Sequence, residues 1–326
     1  MDVSNSLAIH KLKISRVGFE LRARNRAELP SFLGSTLRGA FGHALKATTC
    51  LEETRAECAQ TCRQPAQCPY TYVFETQLSP HFAATKRHED LPHPYLIVPP
   101  KLNAAAPSRR YAAGDTFSFQ LVLVGAATDH LPAAVLAVHE MARSGLGYQR
   151  IPFDVISFQA PAASESDINT LRGATTTLGE LIAPKLESLQ DATSVRLRFV
   201  TPVRIRLGGD LQSKLPFSLL VKNLIRRIES LARTHGSEPV DLNTTTLTEW
   251  AADINPIADH LTWNDISRYS NRQRTTLKLG GLVGEITFAG PRLAEFVPVL
   301  AAGEVLHLGT ATSFGLGRYE LQPTAD

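Results

Sequence analysis

The chain has 326 residues, 43% of them hydrophobic and 20% charged, with a formal net charge of +3 at pH 7. That length holds about two domains of ordinary size, and no run approaches the roughly 18 to 20 apolar residues that span a bilayer. The opening Met-Asp-Val-Ser-Asn-Ser has neither a basic start nor an apolar core, so a cytoplasmic protein with no membrane partner is expected.

In chain order, residues 11–24 alternate, with Leu12, Ile14, Val17, Phe19 and Leu21 apolar, and predict a first strand. Pro30 and Ser31 then open a helix over residues 32–48. Its Leu33, Leu37, Phe41, Ala44 and Leu45 form one apolar stripe, while Arg38, Gly39, Gly42, His43 and Lys46 fill the opposite arc. Residues 50–72 are a cysteine-bearing excursion. A strand over 116–124, a helix over 131–144 with Pro132 in its first turn, and a strand over 153–158 complete the first half. Residues 161–193 turn to Ala, Ser, Thr and Asp with little periodicity and read as a linker. The pattern then restarts with a strand at 194–207, a helix at 217–234, a strand-like 275–288 broken by Gly280-Gly281, a helix at 293–301, and a strand from Val305 onward. The order of elements predicts an α+β protein of two tandem ferredoxin-like domains on antiparallel sheets. Their bounds are 1–160, with the excursion as an insertion, and 194–326, ending in a glycine-rich loop.

That loop runs from His307 to Arg318. Gly309, Gly315 and Gly317 permit torsions closed to other residues and let main-chain N–H groups approach a phosphate. Thr310, Thr312 and Ser313 add hydroxyls, and Arg318 adds a charged fork. A nucleotide-binding P-loop needs Gly-Lys-Ser/Thr opening a helix, and a dinucleotide fingerprint needs G-x-G-x-x-G early in a βαβ unit; neither is met. A phosphate cradle and an ordinary hairpin turn both remain open. Basic clusters at Arg22/Arg24/Arg26, Arg196/Arg198/Arg204/Arg206, Arg226/Arg227 and Arg268/Arg272/Arg274 fit either a nucleic-acid groove or solvated faces.

All four cysteines, Cys50, Cys58, Cys62 and Cys68, fall within one short stretch. In a reducing compartment, thiolates converging on a tetrahedral structural Zn²⁺ would organise such a loop, with free thiols as the alternative. Four thiolates leave no open coordination position, so no catalytic metal is expected.

RNA is cleaved without metal when its own 2′-OH attacks the adjacent phosphate, given a proton acceptor, a proton donor and cations to stabilise the phosphorane-like state. Histidine suits the proton transfers. Two of the ten histidines stand in supporting company: His43, on the arc with Arg38 and Lys46, and His307, ahead of the glycine-rich loop. Arg268, Tyr269, Arg272 and Gln273 offer cations, a stacking ring and an amide, a mixture that binds single-stranded or hairpin RNA.

Several segments in this order resemble the CRISPR-associated pre-crRNA processing endoribonucleases of the RAMP superfamily. They are Leu37 to Leu45, Cys68 to Glu75, Gly145 to Arg150, Arg268 to Gln273, Gly280 to Ile286 and the terminal His307 to Tyr319. The resemblance implies two ferredoxin-like (RRM-like) domains and metal-independent cleavage within CRISPR repeat transcripts, leaving a 2′,3′-cyclic phosphate or a 3′-phosphate. It implies a partner in repeat RNA and, for the mature guide, in other subunits of an effector complex. A histidine at or after the first helix is a recurrent catalytic choice in that family and corresponds here to His43, with His307 second and Lys46 and Arg38 as electrostatic helpers. Non-catalytic guide-RNA binding within an effector complex is the alternative role, and a zinc-organised protein adaptor a remoter one.

Overall fold

The structure, a computed structural model, describes residues 10–50, 67–76, 91–102, 108–160, 171, 174–238, 240, 242–270 and 275–324. It divides into two compact units. One comprises residues 13–176 with 234–237; the other is built mainly from residues 177–233 and 238–326.

The first unit contains strands β1 (Lys13–Ala23), β2 (Ala27–Pro30), β3 (Tyr95–Val98), β4 (Ser108–Tyr111), β5 (Thr116–Val124) and β6 (Phe153–Gln159). Its helices are α1 (Gly34–Thr49), α2 (Pro69–Val73) and α3 (Leu131–Ser144). Its main sheet has the order β3-β5-β1-β6 with every neighbour antiparallel. With α1 after β1 and α3 after β5, this is the ferredoxin-like arrangement. Alternation places Val17, Phe19, Leu21 and Ala23 of β1 in the core. The register sets Phe19 opposite Phe119 on one side and Phe158 on the other, and the rings meet at 5.3 and 6.2 Å. Each fully buried phenylalanine or leucine of this kind contributes roughly 1.5–3 kcal/mol relative to exposure. The short β2 and β4 form a separate antiparallel pair.

The two-residue β7 (Thr176–Thr177), paired with β1, leads into the second unit at α4 (Leu178–Ser188), followed by β8 (Ser194–Val203), β9 (Arg206–Leu207), β10 (Asp210–Leu211), α5 (Phe217–His235) and α6 (Thr244–Ala251). Strands β11 (Asn255–Asn264), β12 (Ser267–Ser270), β13 (Thr275–Lys278) and β14 (Gly281–Ala289), helix α7 (Val297–Leu306) and β15 (Tyr319–Pro323) complete it. The sheet order β11-β14-β8-β15 repeats the topology of the first unit. Phe217 of α5 meets Phe288 of β14 at 4.9 Å and Phe296 at 5.1 Å, which seats the helix on the sheet. Tyr319 packs on its register partner Phe199 at 5.5 Å and donates its hydroxyl to Leu300 O at 2.5 Å.

Three expectations change in detail. The segment read as linker contains α4, whose start is a full capping box between Thr177 and Glu180. The strand expected from Val305 is instead the end of α7, and the terminal strand begins at Tyr319. The strand-like 275–288 is two strands, β13 pairing with β12 and β14 lying in the main sheet.

Candidate functional site

Helix α1 buries Leu37, Phe41, Ala44 and Leu45 against the first sheet, as its apolar stripe predicts. Its opposite side is shaped by α2. Phe74, which follows α2, lies over Gly42 so closely that a Cβ there would fall 2.2 Å from Phe74 Cζ. Gly42 is therefore buried rather than solvent-facing, a correction to the polar arc read from the sequence. The Phe74 ring also stacks on Tyr70 at 5.6 Å and on Tyr95 at 5.8 Å. The Arg38 guanidinium sits 4.5 Å above the Phe74 ring and the Lys46 ammonium 5.5 Å from the Tyr70 ring, both cation–π contacts.

His43 stands exposed on this helix, one turn from Gly39 and from Lys46. Nothing lies within 4 Å of the place a Cβ would occupy at Gly39, so the surface beside His43 is open. Lys46 in the last turn also suits the negative end of the helix dipole. The arrangement offers an accessible imidazole with a cation one turn away and a second, Arg38, held by an aromatic ring.

His307 has the opposite environment. It is 1% exposed, adopts φ 61°, and faces the Leu316 carbonyl with Nδ1 at 3.2 Å, so Nδ1 carries the donated proton. Burial, then the nearby Arg227 and Arg318 cations, push its pKa down to about 3. Arg227 itself donates Nε to Leu306 O at 2.8 Å and buries Nη2 without a hydrogen-bond partner. A neutral, enclosed imidazole of this kind anchors the following loop and is poorly placed to exchange protons with a substrate, against the expectation for His307.

The glycine-rich loop closes onto the end of β8. Leu308 N donates to Gly317 O, Gly317 N to Pro202 O and Thr310 N to Arg204 O, each at 2.9 Å. Thr201 joins in, donating its hydroxyl to Gly315 O at 2.8 Å and accepting from Arg318 N at 2.9 Å. Gly309, Gly315 and Gly317 all have positive φ. A Cβ at Gly317 would lie 1.7 Å from Leu308 O, and one at Gly309 2.3 Å from Arg204 O. These close approaches are to the chain's own backbone. Thr312 and Ser313 are buried, leaving Thr310 exposed and Arg318 half-buried on the outer surface.

Some arginines of the basic clusters have carboxylate neighbours. Arg196 and Arg198 lie near Glu285 at 4.0 and 3.6 Å, and Arg198 near Glu320 at 3.8 Å. Arg22 and Arg24 share Asp154. Arg204 is buried and donates to Gly280 O. The main chain of Arg268 and Tyr269 lies in β12, opposite Leu277 and Thr276; their side chains, and Arg272 and Gln273 altogether, lie outside the described residues. Cys50 follows α1 and Cys68 precedes α2, both half-buried, while Cys58 and Cys62 lie outside the described residues. Among the described residues no group of three or more His, Cys, Asp or Glu side chains could hold a metal ion, and no helix is long and apolar enough to cross a membrane.

Residues 12–180 match a family model, AF_1859_N, described as an N-terminal domain, and residues 197–319 match the model of the CRISPR-associated endoribonuclease Cas6. No curated protein gave a sequence match. Among solved structures, the chain is similar to a Cas6 product complex with 17% identity and a TM-score of 0.53, over 95% of this chain and 100% of that one. It is similar to Thermus thermophilus Cas6 with 14% identity and a TM-score of 0.50, over 95% and 99% of the two chains. A partial Cas6-RT-Cas1–Cas2 complex matches with 16% identity and a TM-score of 0.58, over 97% of this chain and 47% of that one. At these identities the solved structures speak for the fold, which is the doubled ferredoxin-like topology traced above. The two family models account for both halves of the chain: its N-terminal half belongs to the AF_1859_N domain family, and residues 197–319 match the model of the CRISPR-associated endoribonuclease Cas6.

Proposed function

We propose that this protein binds CRISPR repeat RNA and cleaves pre-crRNA by metal-independent attack of a 2′-hydroxyl. In that step O2′ bonds to phosphorus as the P–O5′ bond breaks; a base takes the O2′ proton and an acid supplies one to O5′, leaving a 2′,3′-cyclic phosphate and a 5′-hydroxyl. His43 is the residue assigned to proton transfer, as base or acid, and Lys46 stabilises the charge gathering on the phosphate. The observation that carries this assignment is the contrast between the two histidines: His43 is exposed beside an open Gly39, and His307 is enclosed. Arg38 and the exposed parts of the glycine-rich loop, with Arg268, Tyr269, Arg272 and Gln273, are assigned to holding RNA. The mature guide would then pass to other subunits of an effector complex in the cytoplasm.

Cys50, Cys58, Cys62 and Cys68 are proposed to hold a structural Zn²⁺. Four thiols suit the closed tetrahedral geometry of such sites, and Cys50 and Cys68 stand at the facing ends of α1 and α2 in sequence. The ion would order the excursion and take no part in cleavage.

Incubation of the purified protein with its own repeat RNA in EDTA tests the proposal. Cleavage at one position is expected. Cleavage only after metal is restored would overturn the metal-independent mechanism, and tight binding without turnover would replace the enzyme by an RNA-binding subunit.

A further inference from the structure

Between α3 and β6 the chain makes a tight excursion at Gly145-Leu-Gly-Tyr-Gln-Arg150. Tyr148, at its tip, is 103% exposed, the most exposed large apolar side chain among those described. A freely waving loop would explain that trivially, but this turn is fixed. Leu146 and Ile151 close it with paired hydrogen bonds of 2.8 and 3.1 Å. Gly145, Gly147 and Arg150 all take positive φ. A Cβ at Gly145 would meet Arg150 O at 2.1 Å, and one at Gly147 would meet the Leu29 side chain at 2.7 Å. The turn is thus pressed onto β2, and the tyrosine is held out from it.

The surroundings are basic. Arg24, which donates its amide to Pro152 O at 3.2 Å just past the turn, is exposed, as are Arg22 and Arg26 before β2. Arg110 of β4 lies opposite Glu28 of β2, and Arg150 ends the turn, exposed. Against these five arginines stand three carboxylates, Glu28, Asp115 and Asp154, of which Glu28 and Asp154 are drawn below the usual carboxylate range. The Ser108 hydroxyl and then Arg110 do this for Glu28, and Arg24 does it for Asp154. The patch carries net positive charge around one outward aromatic ring.

We infer that Tyr148 is a stacking platform for an unpaired base of single-stranded RNA, whose phosphates are held by the arginines around it. A ring presented with its faces free can stack on any base, and basic side chains nearby neutralise the backbone. Gln149 beside it is exposed and adds an amide within the same turn. The inference rests on the RNA-processing reading and extends it: the first ferredoxin-like unit would grip a single-stranded flank of the RNA at the Tyr148 turn. Because Tyr148 touches no reacting atom in this scheme, it is a positioning residue, acting on affinity.

The test uses the full chain and a fluorescein-labelled ten-nucleotide oligoadenylate RNA, followed by anisotropy across salt concentrations. Tyr148→Ala is expected to weaken binding about ten-fold or more and Tyr148→Phe to preserve it, since stacking needs the ring and not the hydroxyl. Arg110→Ala is expected to weaken binding and flatten its salt dependence. Tyr148→Trp should show emission quenched on RNA addition. Equal binding by wild type and Tyr148→Ala overturns the inference, as does a wild-type protein that cleaves repeat RNA yet ignores the oligoadenylate; both leave the endoribonuclease reading standing. Binding of oligoadenylate through Tyr148 with no cleavage of repeat RNA would support the platform and remove the enzyme.

Discussion

The ring of Phe74 lies on the backbone of Gly42, leaving no room for a methyl group between them: a Cβ at Gly42 would stand 2.2 Å from Cζ. Because the same ring stacks on Tyr70 and Tyr95 and carries Arg38, this one contact sets the face of α1 beside His43.

Two glycines on that helix therefore predict opposite outcomes. Alanine gains roughly 1 kcal/mol over glycine in a helix interior. At Gly39 nothing opposes the gain, so Gly39→Ala should raise the urea midpoint. At Gly42 the methyl displaces Phe74, an overpacking cost of about 1–3 kcal/mol, and Gly42→Ala should lower the midpoint and weaken RNA binding through Arg38. Equal midpoints for the two variants would contradict the packing described.

The histidines separate in the same way. His43→Ala is expected to reduce single-turnover cleavage by about 10²- to 10⁴-fold with RNA affinity and folding retained. His307→Gln is expected to lower stability while the folded fraction cleaves at near the wild-type rate. Lys46→Ala should slow cleavage and Lys46→Arg restore part of it. Cleavage rate and urea denaturation, measured on the same preparations, distinguish these outcomes.

Acid should destabilise the protein in a defined window. Burial pushes the pKa of His307 down to about 3 and that of His235 down to about 4, from an ordinary value of 6.5. Burial holds His235 neutral, outweighing the opposing effect of its Nε2–H donated to Pro92 O at 2.8 Å, while Nδ1 faces the Tyr72 hydroxyl at 3.3 Å. Below pH 6.5 the unfolded chain takes up protons that the native one refuses. The stability these residues lend is thus full above pH 6.5 and falls as pH drops toward 4 and 3. Each group adds a slope of up to about 1.4 kcal/mol per pH unit. Urea unfolding at pH 7.5, 5.5 and 4.5 should show the decline, and His307→Gln should make it shallower. A flat profile would contradict the buried neutral state of both rings.

Elemental analysis of protein purified without chelator is expected to return one zinc per chain, and Cys58→Ser or Cys62→Ser to lose it. The metal-depleted protein should retain RNA cleavage while proteolysis near residues 51–66 accelerates. Cleavage that disappears with the zinc would contradict a purely structural role.

Much of the fold was legible where one face of an element is buried. The alternation of residues 116–124 and the stripe of residues 131–144 return as β5 and α3 with the same ends. Strand β11 escaped because its residues are mostly exposed on both faces, so Ile257 and Trp263 follow no inward alternation. Strand β3 is a four-residue run buried throughout, which carries no period to read. Of the site, the polar arc of α1 was visible, but periodicity cannot show that a distant aromatic, Phe74, covers Gly42. Likewise the glycines of the terminal loop announced positive φ and close approach, and could not say whether the approaching backbone belonged to RNA or to Pro202 and Arg204 of the same chain. The same limit holds for histidine: His43 and His307 look alike in sequence, and only packing separates an exposed ring from an enclosed one.

The most direct measurement replaces one atom of the substrate. A repeat RNA carrying a single 2′-deoxy nucleotide immediately 5′ of the scissile phosphate should bind with unchanged affinity and resist cleavage, while the unmodified RNA yields a 2′,3′-cyclic phosphate in EDTA. Cleavage of the deoxy RNA at the same phosphate would contradict attack by the 2′-hydroxyl and, with it, the role assigned to His43.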